Sequence, residues 1–297
     1  MIALFSLLLV SFFLPPPPLP PQKPIGQKPY IQGVLHNQLG NQMFEIAATV
    51  SLALDNDAIA VFPELKNDRK MSWWKFTTNH RYVFWRLNIE QPKRPSAFSF
   101  QHFGSTYQEI PYESDMLLSG YFQSEKYFSH HKEEILDLFE PHPSLLDYIY
   151  RKYPWLKTAS KTVAVHVRCY WPHLPNGSPD GQGVLSTPSP EWFEQAILQF
   201  PSDHTFVVFS NNIPWCKAHL THIPRRFVFM EGDPHFVDLF AMSLCEHNII
   251  SNSSFSWWGA YLNKNPDKIV IAPKKWFDKE SNLDSSDIVP EGWIIQD

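Results

Sequence analysis

The stretch HNIISNSSFSWWGAYLN, residues 247–263, combines a short apolar strand, a polar loop and the beginning of a helix. Its first residues form an apolar run with the length of a buried strand. Serine and asparagine in the loop are the residue types that commonly cap a helix N-terminus. Phe255, Trp258, Gly259 and Leu262 then recur along one helix face. A strand, a loop and a helix in this order form the building block of an α/β sheet.

The same alternation of short apolar strands and helical segments continues on both sides of this stretch. Between residues 162 and 273 the segments read TVAVHV, EWFEQAILQF, TFVVFS, RRFVFM, FVDLFAMSLC, HNIIS, FSWWGAYLN and KIVIAP. Strands that alternate with helices predict a parallel sheet. Ligands bind beyond the carboxyl ends of such strands, so the residues that close each strand are the candidate site.

A second unit of this kind begins at Tyr30, where the strand YIQGVL precedes the polar loop HNQLG and a helix. Apolar side chains of that helix are expected on one face, at Met43, Ala47, Val50 and Leu54. AIAVF predicts the next strand, residues 66–114 give no periodic signal, and a further helix is expected from 124 to 139. A chain of 297 residues favours two domains.

The first 14 residues, MIALFSLLLVSFFL, form an uncharged apolar run, and residues 15–29 read as a stiff proline-rich linker. The run is shorter than the roughly 20 residues that cross a bilayer, and it lacks the cationic start of a signal peptide. We expect a membrane-associated protein, held weakly through residues 1–14. A spanning helix, a cleaved signal and a tail without structure stay open alternatives, as do a cytoplasmic face and a Golgi-type lumen.

Composition and motifs disfavour several classes of protein. The net charge is −5, the pI is near 6.2 and no Lys/Arg-rich run occurs, which argues against a nucleic-acid partner. Cys169, Cys216 and Cys245 are far apart, which excludes a disulfide framework and a thiolate zinc site of standard spacing. The motifs GxGxxG, GxxxxGK[ST], GxSxG and HExxH are missing, which argues against redox, kinase, hydrolase and metalloprotease chemistry.

Polar residues follow three of the expected strands. Arg168 closes TVAVHV, with His166 on the same side of the pleat, and a guanidinium can hold a diphosphate without a metal. The loop at 251–254 precedes a helix, whose N-terminus can bind an anion. Asn211 and Asn212 follow TFVVFS and offer amides to ribose, base or sugar. The alternatives are a surface arginine, plain helix capping and an Asx turn.

Two features near the first strand have the residue types of a binding site. Gly40, Asn41 and Gln42 lie in a loop into a helix, where glycine permits close approach and the amides can bind sugar hydroxyls. Asp55 and Asp57 form the D-x-D spacing with which metal-dependent transferases hold a nucleotide-bound cation. We interpret this pair as a helix-ending turn, because only a short strand follows it.

Six stretches, in this order, resemble glycosyltransferase family 11, the α-1,2-fucosyltransferases. They are LGNQMFEIA (39–47), GYFQSEKYF (120–128), VHVR (165–168), FSNNIPWCK (209–217), DLFAMSLCEHNIISNSSFSWWGAYLN (238–263) and VIAPKKWF (270–277). The resemblance implies an α/β, GT-B-like fold of two facing Rossmann-like domains. Residues 30–154 would form the acceptor-side domain and residues 155–297 the donor-binding domain.

The resemblance also implies the ligands and the residues that bind them. GDP-fucose would be the donor substrate, a galactose-containing glycan the acceptor, and no metal or other cofactor is expected. Arg168 would bind the donor diphosphate, and His166 would shape that site. The remaining donor-binding residues would be Ser210, Asn211, Asn252, Ser253, Ser254 and Phe255. The cleft would be faced from the acceptor side by Gly40, Asn41 and Gln42.

The chain departs from the family pattern at three places. Cys169, Tyr170 and Trp171 stand where the family has Arg-Gly-Asp, so that one cation and one carboxylate are lost. A charged hydrogen bond contributes about 1.5–3 kcal/mol, so donor affinity is expected to fall. Asn211 and Asn212 replace two aspartates. Asn37 stands where glycine is usual, a mild change because asparagine tolerates left-handed backbone.

The expected reaction is a single displacement with inversion at the anomeric carbon. Asp233, His235 and Asp238 are candidates for the base or for a nucleotide contact by residue type only, and proton transfer to the leaving phosphate is equally open. One alternative is a catalytically impaired homologue that binds a nucleotide sugar or glycan without turnover. Another is a metal-dependent transferase that uses Asp55 and Asp57.

Overall fold

The structure is a computed structural model in which the chain forms two compact units. The described residues are 22, 24–66, 82–158, 160–170, 185, 187–278 and 281–297. The N-terminal unit contains the described residues up to Leu146 and residues 286–290. The C-terminal unit contains the described residues of Asp147–Ser285 and of Glu291–Asp297.

The N-terminal unit is built on a four-stranded, wholly parallel sheet of order β2-β1-β4-β3. Its strands are β1 (Tyr30–Gly33), β2 (Ile59–Val61), β3 (Phe98–His102) and β4 (Met116–Gly120). Its helices are α1 (Leu39–Asp55), α2 (Lys132–Leu138) and short 3-10 turns at Pro63–Lys66, Glu125–Tyr127 and Ser129–His131. Helix α3 (Pro143–Lys152) continues into the C-terminal unit.

The C-terminal unit is built on a six-stranded, wholly parallel sheet of order β10-β9-β8-β5-β6-β7. Its strands are β5 (Thr162–Val167), β6 (Thr205–Ser210), β7 (Arg226–Phe229), β8 (His247–Ile249), β9 (Val270–Pro273) and β10 (Ile294–Gln296). Its helices are α4 (Pro190–Leu198), α5 (Ile213–Leu220), α6 (His235–Ser243), α7 (Ser254–Tyr261) and a 3-10 turn at Pro154–Thr158.

Strand β5 is the centre of the larger sheet. All six of its residues are buried, and it pairs with β8 on one side and β6 on the other. A strand covered on both faces needs a continuous apolar run, which TVAVHV supplies apart from Thr162 and His166. Both sheets are parallel and are connected through helices, so the predicted α/β class with Rossmann-like units is confirmed.

Two local predictions differ from the structure. The helix expected from 124 to 139 is two 3-10 turns followed by α2, because the side chain of Ser124 caps the first short turn through the backbone N–H of Lys126. The apolar face expected on α1 is incomplete, since Leu54 is 46% exposed while Gln42 and Glu45 are buried. Helix α1 is therefore covered around most of its circumference near its N-terminus, rather than along one stripe.

The prediction of a membrane-associated protein is corrected. Within the described residues, no helix combines the length and the apolarity needed to cross a bilayer. The helix α1 has 17 residues and carries Glu45 and Asp55, whereas a span needs about 20 predominantly apolar residues. Residues 1–14, on which the prediction was based, lie outside the described residues.

Gly120 allows the backbones of β3 and β4 to approach each other closely where β4 ends. Its φ is +153°, and an added Cβ would lie 2.0 Å from the carbonyl oxygen of His102 in β3. That carbonyl also accepts the backbone N–H of Tyr121 at 3.2 Å. Only glycine fits this close approach of two backbones.

We expect Gly120→Ala to lower the free energy of unfolding by about 3 kcal/mol, because the added methyl meets backbone that cannot move aside. Gly26→Ala is the matched control, since Gly26 has a φ of +59° but an added Cβ meets no described atom within 4 Å. The control should lose about 1 kcal/mol, the effect of left-handed backbone alone. Urea unfolding measures both, and equal losses would contradict the close-approach explanation.

Candidate active site

Arg168 and the serine-rich loop before α7 lie together at the carboxyl edge of the larger sheet. The hydroxyl oxygen of Ser251, which is fully buried, accepts the backbone N–H of Arg168 at 3.1 Å. The same oxygen lies 3.0 Å from Nδ1 of His166. Ser251 thus joins the loops that follow β5 and β8. The proximity that the sequence indicated is present in the fold.

His166 is held as a neutral imidazole. It is 6% exposed, and burial, followed by the charge of Arg168, lowers its pKa to about 3. Its ring lies 5.4 Å from the ring of Phe255 in α7. A neutral imidazole adds no positive charge to the site, so His166 packs β5 against α7 and leaves the cation to Arg168.

The N-terminus of α7 retains its partial positive charge. Its N-cap residue, Ser253, makes no side-chain capping bond, and the first turn contains no acidic residue. Asn252 is buried and its Nδ2 donates to the carbonyl of Trp276 at 2.9 Å, while the Ser256 hydroxyl donates to the Ser251 carbonyl at 3.3 Å. These bonds fix the loop, so the helix dipole points in a defined direction. Ser254 opens the helix.

The residues that close β6 support the loop after β5. Asn211 makes two hydrogen bonds to Cys169: its Oδ1 accepts the backbone N–H and its Nδ2 donates to the carbonyl, both at 2.8 Å. Asn212 caps α5 by accepting the Trp215 N–H at 3.1 Å, and Ser210 accepts the Asn212 N–H at 2.9 Å. Asn212 is therefore a helix N-cap, whereas an Asx turn would bond to the residue two positions further on. Donor binding by Ser210 and Asn211 stays a prediction.

The segment that replaces the family's Arg-Gly-Asp has its own contacts. Cys169 is 5% exposed within the apolar core, and burial raises the pKa of its thiol, so it is neutral. The Tyr170 ring lies 5.1 Å from the guanidinium carbon of Arg168, and its hydroxyl donates to the Asn252 carbonyl at 2.8 Å. Tyr170 thus joins the arginine to the loop before α7, a role that sequence reasoning missed. Trp171 lies outside the described residues.

Asp233 and Asp238, the two acidic residues proposed as a base or a nucleotide contact, have buried carboxyl oxygens. The side chain of Asp233 is fully buried and accepts hydrogen bonds from Tyr148 at 2.8 Å, Lys152 at 2.6 Å and Tyr153. Burial, and then the charge of Asp233, raises the pKa of Asp238 well above its usual range. Its buried Oδ1 has no hydrogen-bond partner within the described part of the chain.

His235, the third residue proposed by type, is the first residue of α6 and is exposed. Asp233, His235 and Asp238 all belong to the C-terminal unit. Their roles as a base or a nucleotide contact stay predictions.

The residues expected on the acceptor side begin α1, directly after β1. Gly40 and Gln42 are buried, and Gln42 donates through Nε2 to the Asn37 carbonyl at 3.0 Å. Asn41 is half-buried and accepts a hydrogen bond from Gln123 at 3.2 Å. Asn37 has a φ of +57°, the left-handed conformation that asparagine tolerates in place of glycine.

Sequence reasoning also missed a pair formed by His36 and Glu45 next to these residues. His36 Nδ1 lies 3.2 Å from a carboxylate oxygen of Glu45, which is 1% exposed. A sequence signal was available, because Glu45 is the one charged residue in the run LGNQMFEIAATVSLAL at the start of a helix. A carboxylate in such a run indicates a buried polar site.

Within the part of the chain that the structure describes, two groups of side chains converge closely enough to hold a metal ion. They are Asp55 with His130 and His131, and His204 with Glu246 and His247. Asp55 ends α1, ahead of β2, and the second group lies beside the first residues of β6 and β8. Both groups are therefore at the amino edges of their sheets, away from Arg168 and from Gly40. Asp57 pairs instead with Lys28 at 2.6 Å. A metal-binding role of Asp55 and Asp57 together stays a prediction.

The family profile described as glycosyl transferase family 11 matches residues 8–297 of the sequence. The chain belongs to glycosyl transferase family 11. This glycosyltransferase family member is 33% identical to an Escherichia coli α-1,2-colitosyltransferase over 59% of its own length and 60% of the relative. It is 27% identical to the Bos taurus galactoside α-(1,2)-fucosyltransferase 2 over 76% of its length and 66% of the relative. It thus spans about three fifths of the colitosyltransferase.

Solved structures confirm the GT-B-like fold of this family 11 chain. Fucosyltransferase NodZ from Bradyrhizobium aligns with a TM-score of 0.52 and 10% identity, covering 78% of this chain and 93% of NodZ. An Arabidopsis thaliana FUT1 mutant in complex with GDP aligns with a TM-score of 0.52 and 11% identity, covering 90% and 76%. At these identities the likeness concerns the fold alone.

The buried, neutral His166 predicts a pH dependence of stability. An unfolded histidine has a pKa of about 6.5, so between about pH 4 and 6 the unfolded chain binds one proton more than the folded chain at this residue. The free energy of unfolding therefore rises with pH, by about 1.4 kcal/mol per pH unit from His166. His166→Gln should remove that contribution to the slope.

Urea unfolding at several pH values in this window measures the slope. His222→Gln is the control, because the His222 side chain is 59% exposed and the variant should keep the wild-type slope. An unchanged slope in His166→Gln would show that His166 titrates normally in the folded protein.

Proposed function

We propose that this chain is an inverting, metal-independent transferase that moves L-fucose from GDP-fucose to the 2-hydroxyl of a galactoside. Membership of glycosyl transferase family 11 and the names of the curated relatives support the reaction class. In the proposal, residues 155–297 bind the donor and residues 30–154 bind the acceptor.

The observation that carries the proposal is the attachment of Arg168, through Ser251, to the loop that starts α7. A guanidinium is always charged and matches phosphate oxygens with paired donors. The N-terminus of α7 adds backbone N–H groups and a partial positive charge. Together they offer a pyrophosphate what a divalent cation would otherwise supply.

The proposed step is one displacement at the anomeric carbon. The bond from the acceptor oxygen to C1 forms on one face while the bond from C1 to the β-phosphate oxygen breaks on the other. The electron pair of the broken bond stays on GDP, whose charge therefore increases in the transition state. Arg168 and the start of α7 would stabilise that charge because both are fixed before the reaction begins.

The other proposed contacts complete the two ligand sites. The donor pocket would be lined by Ser210, Asn211, Asn252, Ser253, Ser254 and Phe255, with His166 beneath it. The acceptor side would include Gly40, Asn41 and Gln42. Asp238 is proposed as a nucleotide contact, since its buried Oδ1 has no partner in the described part of the chain.

The alternative is an impaired homologue that binds a nucleotide sugar or glycan without turnover. The loss of the second cation beside Arg168 favours it. The contact of Tyr170 with both Arg168 and the Asn252 carbonyl favours the active enzyme, because it holds the remaining cation in place.

The proposal is tested by incubating the chain with GDP-fucose and a terminal β-galactoside in the presence of EDTA. We expect an α-1,2-linked product, identified by NMR, at the same rate with and without the chelator. GDP binding without transfer would favour the impaired homologue. Activity lost with EDTA would favour the metal-dependent alternative through Asp55 and Asp57. GDP-colitose, which lacks the 3-hydroxyl of fucose, is the second donor to compare.

Arg168→Ala should lower kcat at least about 100-fold, because it removes a preorganised charge from the leaving group. Arg168→Lys retains the charge but loses the fork of donors, so its kcat should lie between those of Arg168→Ala and the wild type. Arg226→Ala is the control, since Arg226 is exposed on the outer strand β7. Wild-type turnover in Arg168→Ala with an intact fold would exclude the assignment.

A further inference from the structure

A histidine and a buried carboxylate are paired at the carboxyl edge of the N-terminal sheet. His36 follows β1, and Glu45 lies one turn and a half into α1. One Glu45 oxygen lies 3.2 Å from Nδ1 of His36, and the other accepts the His36 backbone N–H at 2.8 Å. Both oxygens thus serve one residue, which fixes the orientation of the imidazole.

This arrangement directs the second ring nitrogen away from the carboxylate. Nε2 lies 3.5 Å from the Ser119 hydroxyl, a distance longer than a normal hydrogen bond. The His36 side chain is 29% exposed, so a ligand can reach it. A carboxylate on Nδ1 and a reachable Nε2 are the geometry by which hydrolases make histidine a proton acceptor.

Two aromatic side chains, one after β3 and one after β4, stand beside His36. The ring of Phe103, which follows β3, lies 5.3 Å from the imidazole, and the ring of Tyr121, which follows β4, lies 6.5 Å from it. The two aromatic rings pack edge to face at 5.2 Å. Phe103 is 47% exposed, an uncommon position for a large apolar side chain. Such faces pack against the C–H groups of sugars.

We propose that His36 is the catalytic residue that takes the proton from the acceptor hydroxyl. Glu45 is its positioning residue, and Phe103 with Tyr121 is the wall against which the acceptor sugar lies. This inference rests on the proposed function, because it assigns the base for that same transfer. The amides of Asn41 and Gln123, bonded to each other at 3.2 Å, lie at the same sheet edge and suit the remaining sugar hydroxyls.

His36 would accept the proton during the displacement at the anomeric carbon. Nε2 of neutral His36 takes the hydroxyl proton as the acceptor oxygen forms its bond to C1 and the pair of the C1–phosphate bond leaves with GDP. The resulting imidazolium donates through Nδ1 to Glu45, which stabilises its charge. The proton passes to water when the product leaves.

The groups that face His36 affect its protonation, so the rate of the proposed proton transfer should depend on pH. They are Glu45 from α1, Glu64 from the turn Pro63–Lys66, and the hydroxyls of Ser119 and Tyr121. The hydrogen bond from Glu45 raises the pKa of His36, while burial raises the pKa of Glu45 to about 7. His36 accepts a proton only when neutral, so kcat should rise with pH through its pKa.

The decisive variant is His36→Gln, which keeps a polar side chain but cannot accept the proton. We expect kcat for fucose transfer to fall about 100- to 1000-fold, the usual contribution of a general base. The affinity for GDP, measured by calorimetry, should stay within about twofold, since a base does not hold the donor. His131→Gln is the matched control: His131 is 22% exposed and pairs with Asp55 at 2.8 Å at the other end of α1.

Two further variants separate catalysis from folding. Glu45→Gln keeps the volume and should move the acidic limb of the kcat profile to lower pH, because it removes the carboxylate that raises the pKa of His36. Phe103→Ala should raise KM for the acceptor more than it lowers kcat. Its control is Tyr107→Ala, another exposed aromatic residue of this unit at 42%.

The outcomes distinguish this inference from the function on which it rests. A folded His36→Gln enzyme with more than half the wild-type kcat would overturn the base assignment and leave the transferase intact. An unshifted pH profile in Glu45→Gln would overturn the positioning role. A wild-type chain that transfers neither fucose nor colitose to any galactoside would overturn the proposed function and this inference together.

Discussion

The buried hydroxyl of Ser251 connects the loops on which the donor side depends. It joins the backbone of Arg168 to the loop before α7, and Asn211 joins Cys169 to the end of β6 in the same way. Because β5 lies between β8 and β6, these bonds fasten all three loops at one edge. Short side chains thus fix the backbone of Arg168 and Cys169.

The central strands could be predicted from sequence because burial on both faces requires a continuous apolar run. TVAVHV and HNII satisfy that rule, and the carboxyl ends of parallel strands meet at one edge, so the closeness of Arg168 and Ser251 followed. β3 and β10 could not be predicted in this way. They lie at the edges of their sheets with half-exposed or exposed residues, so FSFQH and IIQ carry no comparable run. Hydrogen bonds such as that of Asn211 to Cys169 join distant residues, which a local pattern does not encode.

The pair of His36 and Glu45 was missed for a related reason. A one-face pattern on α1 treats a charged residue as exposed, whereas Glu45 is 1% exposed and Leu54 is 46% exposed. The helix packs against β1, β2, β4 and α2 together, so position along the helix decides burial more than the face does. Burying a carboxylate is unfavourable unless a partner offsets its lost hydration. That both oxygens of Glu45 bond to His36 is therefore a stronger sign of function than burial alone.

The charges around Arg168 determine what an anion at this edge of the sheet would meet. Arg168 is the one cation in the described loops after β5, β6 and β8. Its two titratable neighbours, His166 and Cys169, are both neutral. His166 has a pKa near 3 and the Cys169 thiol has a raised pKa, both because of burial. A pyrophosphate at this edge would therefore meet no thiolate repulsion and no competing imidazolium. With the neighbours neutral, the field at the edge is set by one guanidinium and one helix terminus, and Tyr170 is placed to keep them together.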